Sequence, residues 1–188
     1  MSLTELFEIR RRAAQAGSFQ GYRSGPIALS GATGLAAGLL QAWWNPSDVG
    51  FVMLWIGAAT IGFGYNLVCI AHQYGASPRR WERSLAFAAL TDLSPAVLAG
   101  FILTAVFVSR GQTALLPGTW MVLFGSGVLA SRRHLPSACS LVGGLYLLAG
   151  TITFALFPGE HALRAEVMAG VFGMGQIGLA VLLARSSE

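Results

Sequence analysis

Six apolar stretches separated by short polar turns take up most of the chain: Pro26–Trp44, Val49–His72, Ser84–Ser109, Leu116–Ala130, Ala138–Phe157 and Ala165–Ala184. A helix rises about 1.5 Å per residue, so about 20 apolar residues cross a hydrocarbon core of about 30 Å. Five of the stretches reach that length. The fourth is short and glycine-rich, and can begin at Gln112 with Pro117 in its first turn, where the missing N–H costs nothing. Hydrocarbon offers backbone groups no partners, so spanning segments must be helices. The pattern predicts an all-α, polytopic membrane bundle of six helices over residues 26–188, preceded by a distinct segment over residues 1–25.

The charges between the stretches set an orientation. Arg10, Arg11, Arg12 and Arg23 precede the first; Arg79, Arg80 and Arg83 join the second to the third. Arg132 and Arg133 join the fourth to the fifth, and Arg185 ends the sixth. The other side holds only Arg110 and Arg164. Basic residues concentrate on the cytoplasmic side, so both termini are expected there. The same arginines are candidate contacts for lipid or for a cytoplasmic partner: Arg10, Arg11, Arg12, Arg79, Arg80, Arg132 and Arg133.

The N-terminal segment carries its own signal. Ser2 and Glu5 have the spacing of a capping box, which predicts a helix from Leu3 to about Ala16. Leu3, Leu6, Phe7, Ala13 and Ala14 share one face, and Glu5, Glu8 and Arg12 point away. Such a helix lies on a membrane surface or docks a partner protein.

Composition narrows the class. The chain is 54% hydrophobic and 11% charged, against about 25% charged in soluble domains. The net charge of +4 therefore belongs to a lipid-facing surface, and no nucleic-acid partner is expected. Cys69 and Cys139 both fall toward the reducing side, so free thiols are expected. The 24 glycines are nearly double the usual share of about 7%. Lipid supplies no hydrophobic drive for helix association, and small residues that allow close approach replace it. Gly34 and Gly38 form a GxxxG pair, expected to pack within the bundle or at a homo-oligomer contact.

Ionisable groups inside a membrane are candidates for function. Asp92 lies eight residues into the third stretch, about 12 Å along the helix. Asn66 and Gln176 have depths that let them meet it, so the three form a candidate intramembrane polar cluster. Asp92 is read either as a helix lock, as a proton or cation site, or as a partner of Arg79 or Arg80. His72 and His134 end helices beside arginines, where they suit the helix dipole better than a haem or metal. Gly125-Ser126-Gly127 lacks the histidine an intramembrane serine protease needs, and neither a phosphate loop nor a paired carboxylate motif is present. No enzyme, cofactor or metal is expected.

Several segments together carry a resemblance: Pro95–Thr104, Leu116-Pro-Gly-Thr-Trp120 through Gly127, Gly143-Gly144 with its apolar run, and Phe172-Gly-Met-Gly-Gln-Ile-Gly178. Over about residues 85–185 the chain resembles a family of small, uncharacterised bacterial six-helix membrane proteins, with Pro-Gly-x-Trp opening helix four and Phe-Gly-x-Gly in helix six. Gln176 stands where that family suggests His. The resemblance implies a multi-pass protein of the bacterial inner membrane, often associated with small winged-helix regulators, and it carries no established functional residue over to this chain. Two functions follow as expectations. One is a non-enzymatic sensor, anchor or accessory subunit engaging a partner at its cytoplasmic face. The other is a small oligomeric transporter or channel using Asp92.

Overall fold

The computed structural model describes residues 24–75, 80–133, 137–157 and 159–186. The expected N-terminal helix, with Arg10, Arg11 and Arg12, lies outside them, as does Arg79. The described residues are helical: α1 (Ser24–Trp44), α2 (Asp48–Gly75), α3 (Arg80–Ser109), α4 (Leu116–Ala130) and α5 (Ser137–Leu156). A sixth helix, α6, is continuous in three pieces. It starts as Ala165–Met168, widens into a π-helix over Ala169–Met174, and resumes as Gly175–Ser186.

Five segments are long and apolar enough to cross a membrane: Asp48–His72, Thr91–Ser109, Thr113–Arg133, Cys139–Leu156 and Ala165–Leu182. This is a multi-pass helical membrane protein. The short fourth stretch gains length from 3₁₀ turns at both ends, Thr113–Leu115 and Ser131–Arg133. Pro117 sits in the first turn of α4. Helix α1 has 21 residues but is not among the five, because glycines, Ser30, Thr33 and Gln41 dilute its apolarity. Gly31, Gly34, Gly38 and Gln41 are buried, while Leu39, Leu40, Trp43 and Trp44 are exposed. The polar and small residues thus face protein and the large apolar ones face outward.

The helices pair in two groups. α1 lies between α2 and α6; α4 lies between α3 and α5; α5 also meets α6, and α2 touches α3 along a shorter stretch. Glycine sets the two closest contacts. A Cβ on Gly34 would stand 3.1 Å from the Gly173 backbone nitrogen, and one on Gly38 would collide with Ala169. The GxxxG pair therefore packs inside the bundle, against the π-helical part of α6. Between α4 and α5, a Cβ on Gly125 would stand 2.6 Å from the Gly143 carbonyl oxygen, and one on Gly150 would stand 2.8 Å from that of Gly118. The seven-residue spacing on both helices lets the antiparallel backbones touch twice.

Aromatic rings fill the space the glycines leave. Phe51 of α2 stacks on Trp120 of α4, with ring centroids 6.1 Å apart and planes 7° apart. Phe124, Tyr146 and Phe172 form a triangle joining α4, α5 and α6, with centroids 4.8 to 6.1 Å apart.

Gly38→Ile should force α1 from α6. Overpacking of a close contact costs about 1–3 kcal/mol, so the purified protein should melt earlier, by an amount independent of protein concentration. Leu39→Ile, at an exposed position, should leave the melting temperature unchanged. A Gly38→Ile protein as stable as the parent would refute the contact.

Candidate functional site

An open cleft of about 600 Å³ lies at the arginine-rich end, between α3 and α4. Asp92, Ser126, Leu129, Ala130, Arg132 and Arg133 line it. Two local features produce it. Helix α4 stops at Ala130 and tightens into the Ser131–Arg133 turn, while α3 continues past that level to Arg80. Ser131 Oγ donates 3.0 Å to the Gly127 carbonyl and anchors the turn. Gly127 lets α3 approach: a Cβ there would stand 2.5 Å from Leu93 Cδ1 and 3.0 Å from Ala96 Cβ.

That contact sets the level of Asp92. Gly127 stands between the levels of Leu93 and Ala96, so Asp92 lies within about one helical turn, no more than roughly 6 Å, inside Arg132. This is at most about half the depth measured along α3 alone, because α3 overshoots the end of α4. The arginines sharing its cleft are Arg132 and Arg133, both exposed. Asp92 is also engaged by another group of the protein. Of the loop arginines expected near it, Arg80 opens α3.

The three residues of the candidate polar cluster have three different settings. Asn66 donates 2.8 Å to the Gly62 carbonyl of its own helix and 3.4 Å to that of Pro26 on α1. Asp92 faces α4. Gln176 is buried on α6 beside the hydroxyl of Tyr146. That hydroxyl is fully enclosed, 3.3 Å from where a Cβ on Gly175 would stand, and has no hydrogen-bond partner of good geometry.

The tightest polar contacts lie at the opposite end and involve residues that periodicity does not single out. Trp55 Nε1 donates 2.7 Å to Gln41 Oε1, and Gln41 Nε2 donates to the Leu163 carbonyl. One buried amide thus ties α1, α2 and the turn before α6. Thr113 Oγ1 donates to Asp48 Oδ2, fastening the start of α2 to the turn before α4. Trp120 Nε1 donates 2.9 Å to Thr104 Oγ1, joining α4 to α3. The one available sequence signal was Gln41 itself, a large amide inside an apolar helix.

Compared with known proteins, the chain matches no family model, no curated protein and no solved structure. The cleft can therefore be judged only by its own chemistry. It joins two guanidinium groups, a carboxylate and a hydroxyl, with Leu129 and Ala130 as an apolar floor. Such a set has the donors and the acceptor that a charged group requires.

Removing the Tyr146 hydroxyl tests the interior. An unsatisfied buried polar atom costs about 1–3 kcal/mol, and deleting it is neutral or stabilising. Tyr146→Phe should melt at or above the parent temperature. A drop of more than about 1 kcal/mol, the value of an ordinary hydrogen bond, would mean that Gln176 bonds the hydroxyl.

Proposed function

We propose that this is a non-enzymatic, multi-pass membrane protein acting as a sensor, anchor or accessory subunit, and that its arginine-rich cytoplasmic face engages a partner. The observation that carries this reading is where the polar groups are satisfied. Thr104 and Thr153 bond to carbonyls of their own helices, Gly100 and Ala149. Gln41 and Thr113 are taken up by Leu163 and Asp48. The first two are satisfied within their own helices and the last two tie helices and turns together, so among the described residues these groups form no chain of polar sites along the bundle. The transporter reading asks for such a chain. Asp92, standing at one end beside two arginines, suits a surface site better than a step in a path.

The orientation belongs to the same reading. We count helix α1 as a sixth span because Gly31, Gly34, Gly38 and Gln41, which lower its hydropathy, are buried against protein. With six spans, both termini share the side that carries most arginines, the cytoplasmic one. The protein then sits in an inner membrane, with residues 1–25 on the cytoplasmic surface as a further contact for lipid or partner. The resemblance to small bacterial six-helix proteins, carried by Pro117-Gly-Thr-Trp120 and Phe172-Gly-Met-Gly175, is compatible with an accessory role.

Two measurements test this. A reporter fused after residue 188 should be active only in the cytoplasm, and one inserted between Gly159 and Arg164 only outside it. Periplasmic activity at the C-terminus would sink the six-span arrangement. The purified protein in sealed vesicles should carry no proton or cation flux. A flux that Asp92→Asn abolishes would replace the accessory reading with the transporter.

A further inference from the structure

We propose that the cleft between α3 and α4 is a binding site for a phospholipid headgroup carrying both a phosphate and a primary amine, that of phosphatidylethanolamine. The wall charges point to a ligand of both signs. Arg132 and Arg133 stand on one side and Asp92 on the other. A simple anion would meet the carboxylate, and a simple cation would meet two guanidinium groups. A zwitterion places phosphate on the arginines, whose planar forks match phosphate oxygens, and its ammonium on Asp92. Ser126 adds a hydroxyl that donates to the phosphate.

Asp92 is already engaged within the protein, and an ammonium would share its carboxylate with that group. A carboxylate has two oxygens and about four acceptor positions. The arginine side chains are long enough to swing inward to its level, within about one turn below them. Phosphate and ammonium of an ethanolamine headgroup also lie at nearly one depth. The space of about 600 Å³ falls within the range of small-ligand sites, about 300–1,000 Å³.

The surroundings favour a lipid over a soluble phosphate. The cleft opens at the end of two apolar helices, and Leu129 and Ala130 form part of its lining. Pro95, Leu98 and Ile102 continue the adjoining side of α3 inward and are exposed. An acyl chain leaving the headgroup would lie along them. A water-soluble ligand would gain nothing from that wall.

This inference rests on reading the arginine-rich face as a membrane surface, but binding in detergent tests the cleft by itself. Lipid selectivity can fail while the topology holds, and the reverse. The full chain in non-ionic detergent is titrated with short-chain phosphatidylethanolamine, phosphatidylcholine and phosphatidylglycerol, and bound lipid is read by native mass spectrometry. Ethanolamine lipid should bind about tenfold more tightly than choline lipid, because a quaternary ammonium has no N–H to donate to Asp92. The glycerol lipid should be weaker by a similar factor. Asp92→Asn should bring ethanolamine and choline lipids within about threefold of each other, since the charge-assisted bond is gone. Arg132→Gln with Arg133→Gln should weaken all three about tenfold or more, with melting temperature unchanged in the absence of lipid. Both arginines are exposed, so this variant folds even if the Asp92 variant does not. Equal binding of ethanolamine and choline lipids by the parent would overturn the proposal. So would preference for the glycerol lipid, full binding by the arginine variant, or displacement of bound lipid by soluble phosphoethanolamine at equal concentration.

Discussion

Backbone-to-backbone contact between helices is the constraint from which the rest of this structure follows. Inside a membrane, apolar side chains gain nothing by leaving lipid for one another, so helices associate through close packing and a few polar bonds. Here the close packing is made twice, by α1 on α6 and by α4 on α5. At each seam a glycine stands where a Cβ would meet backbone atoms of the facing helix: Gly34 at Gly173, Gly125 at Gly143 and Gly150 at Gly118. The large residues are then pushed to the flanks, where Phe51 stacks on Trp120 and Phe124 meets Tyr146 and Phe172. α3 has fewer such seams. It touches α4 through Gly127, and this looser pairing leaves an opening at the arginine-rich end.

The polar bonds divide the molecule unevenly along its length. At the end away from the arginines, Gln41, Trp55 and the Leu163 carbonyl form one buried junction, and the buried Thr113 donates to the exposed Asp48 nearby. The Gln41–Trp55 bond is strong because its setting is dry and nothing else can satisfy the groups. Together these contacts close that end. The other end has a carboxylate and two guanidinium groups around an open space. A bundle fastened at one end and open at the other is the arrangement that the proposed accessory role calls for.

Much of the helical plan was legible in the sequence, because a membrane demands long apolar runs and the chain supplies them. Pro117 was readable as a first-turn residue for the same kind of reason: the position needs no N–H. Gly34 and Gly38 announced a close contact. Their partner on α6 was not legible, since spacing on one helix says that something comes near and not what. The setting of Asp92 was read too deep. Depth along one helix ignores where its neighbour ends, and α3 runs well past the last turn of α4. Asn66 and Gln176 shared a depth with it on paper, but rotation about each helix axis turned Asn66 toward α1 and Gln176 toward Tyr146. Helix rotation depends on three-dimensional seams, and hydropathy alone is blind to it.

The π-helical turn in α6 bears on how this chain can change over time. A π turn holds one more residue than an α turn in nearly the same length, and commonly marks a single-residue insertion tolerated within an older helix. In α6 it lies where Gly173 must face Leu35 while Phe172 reaches Tyr146. Deleting one residue from Ala169–Met174 would return the turn to α winding and keep Gln176, Leu179 and Ala180 on the core, whereas a deletion just after Gly175 would rotate every later position by about 100°. This turn is therefore the one stretch of α6 that can lose a residue while the seam on α1 and the far half of the helix keep their phase.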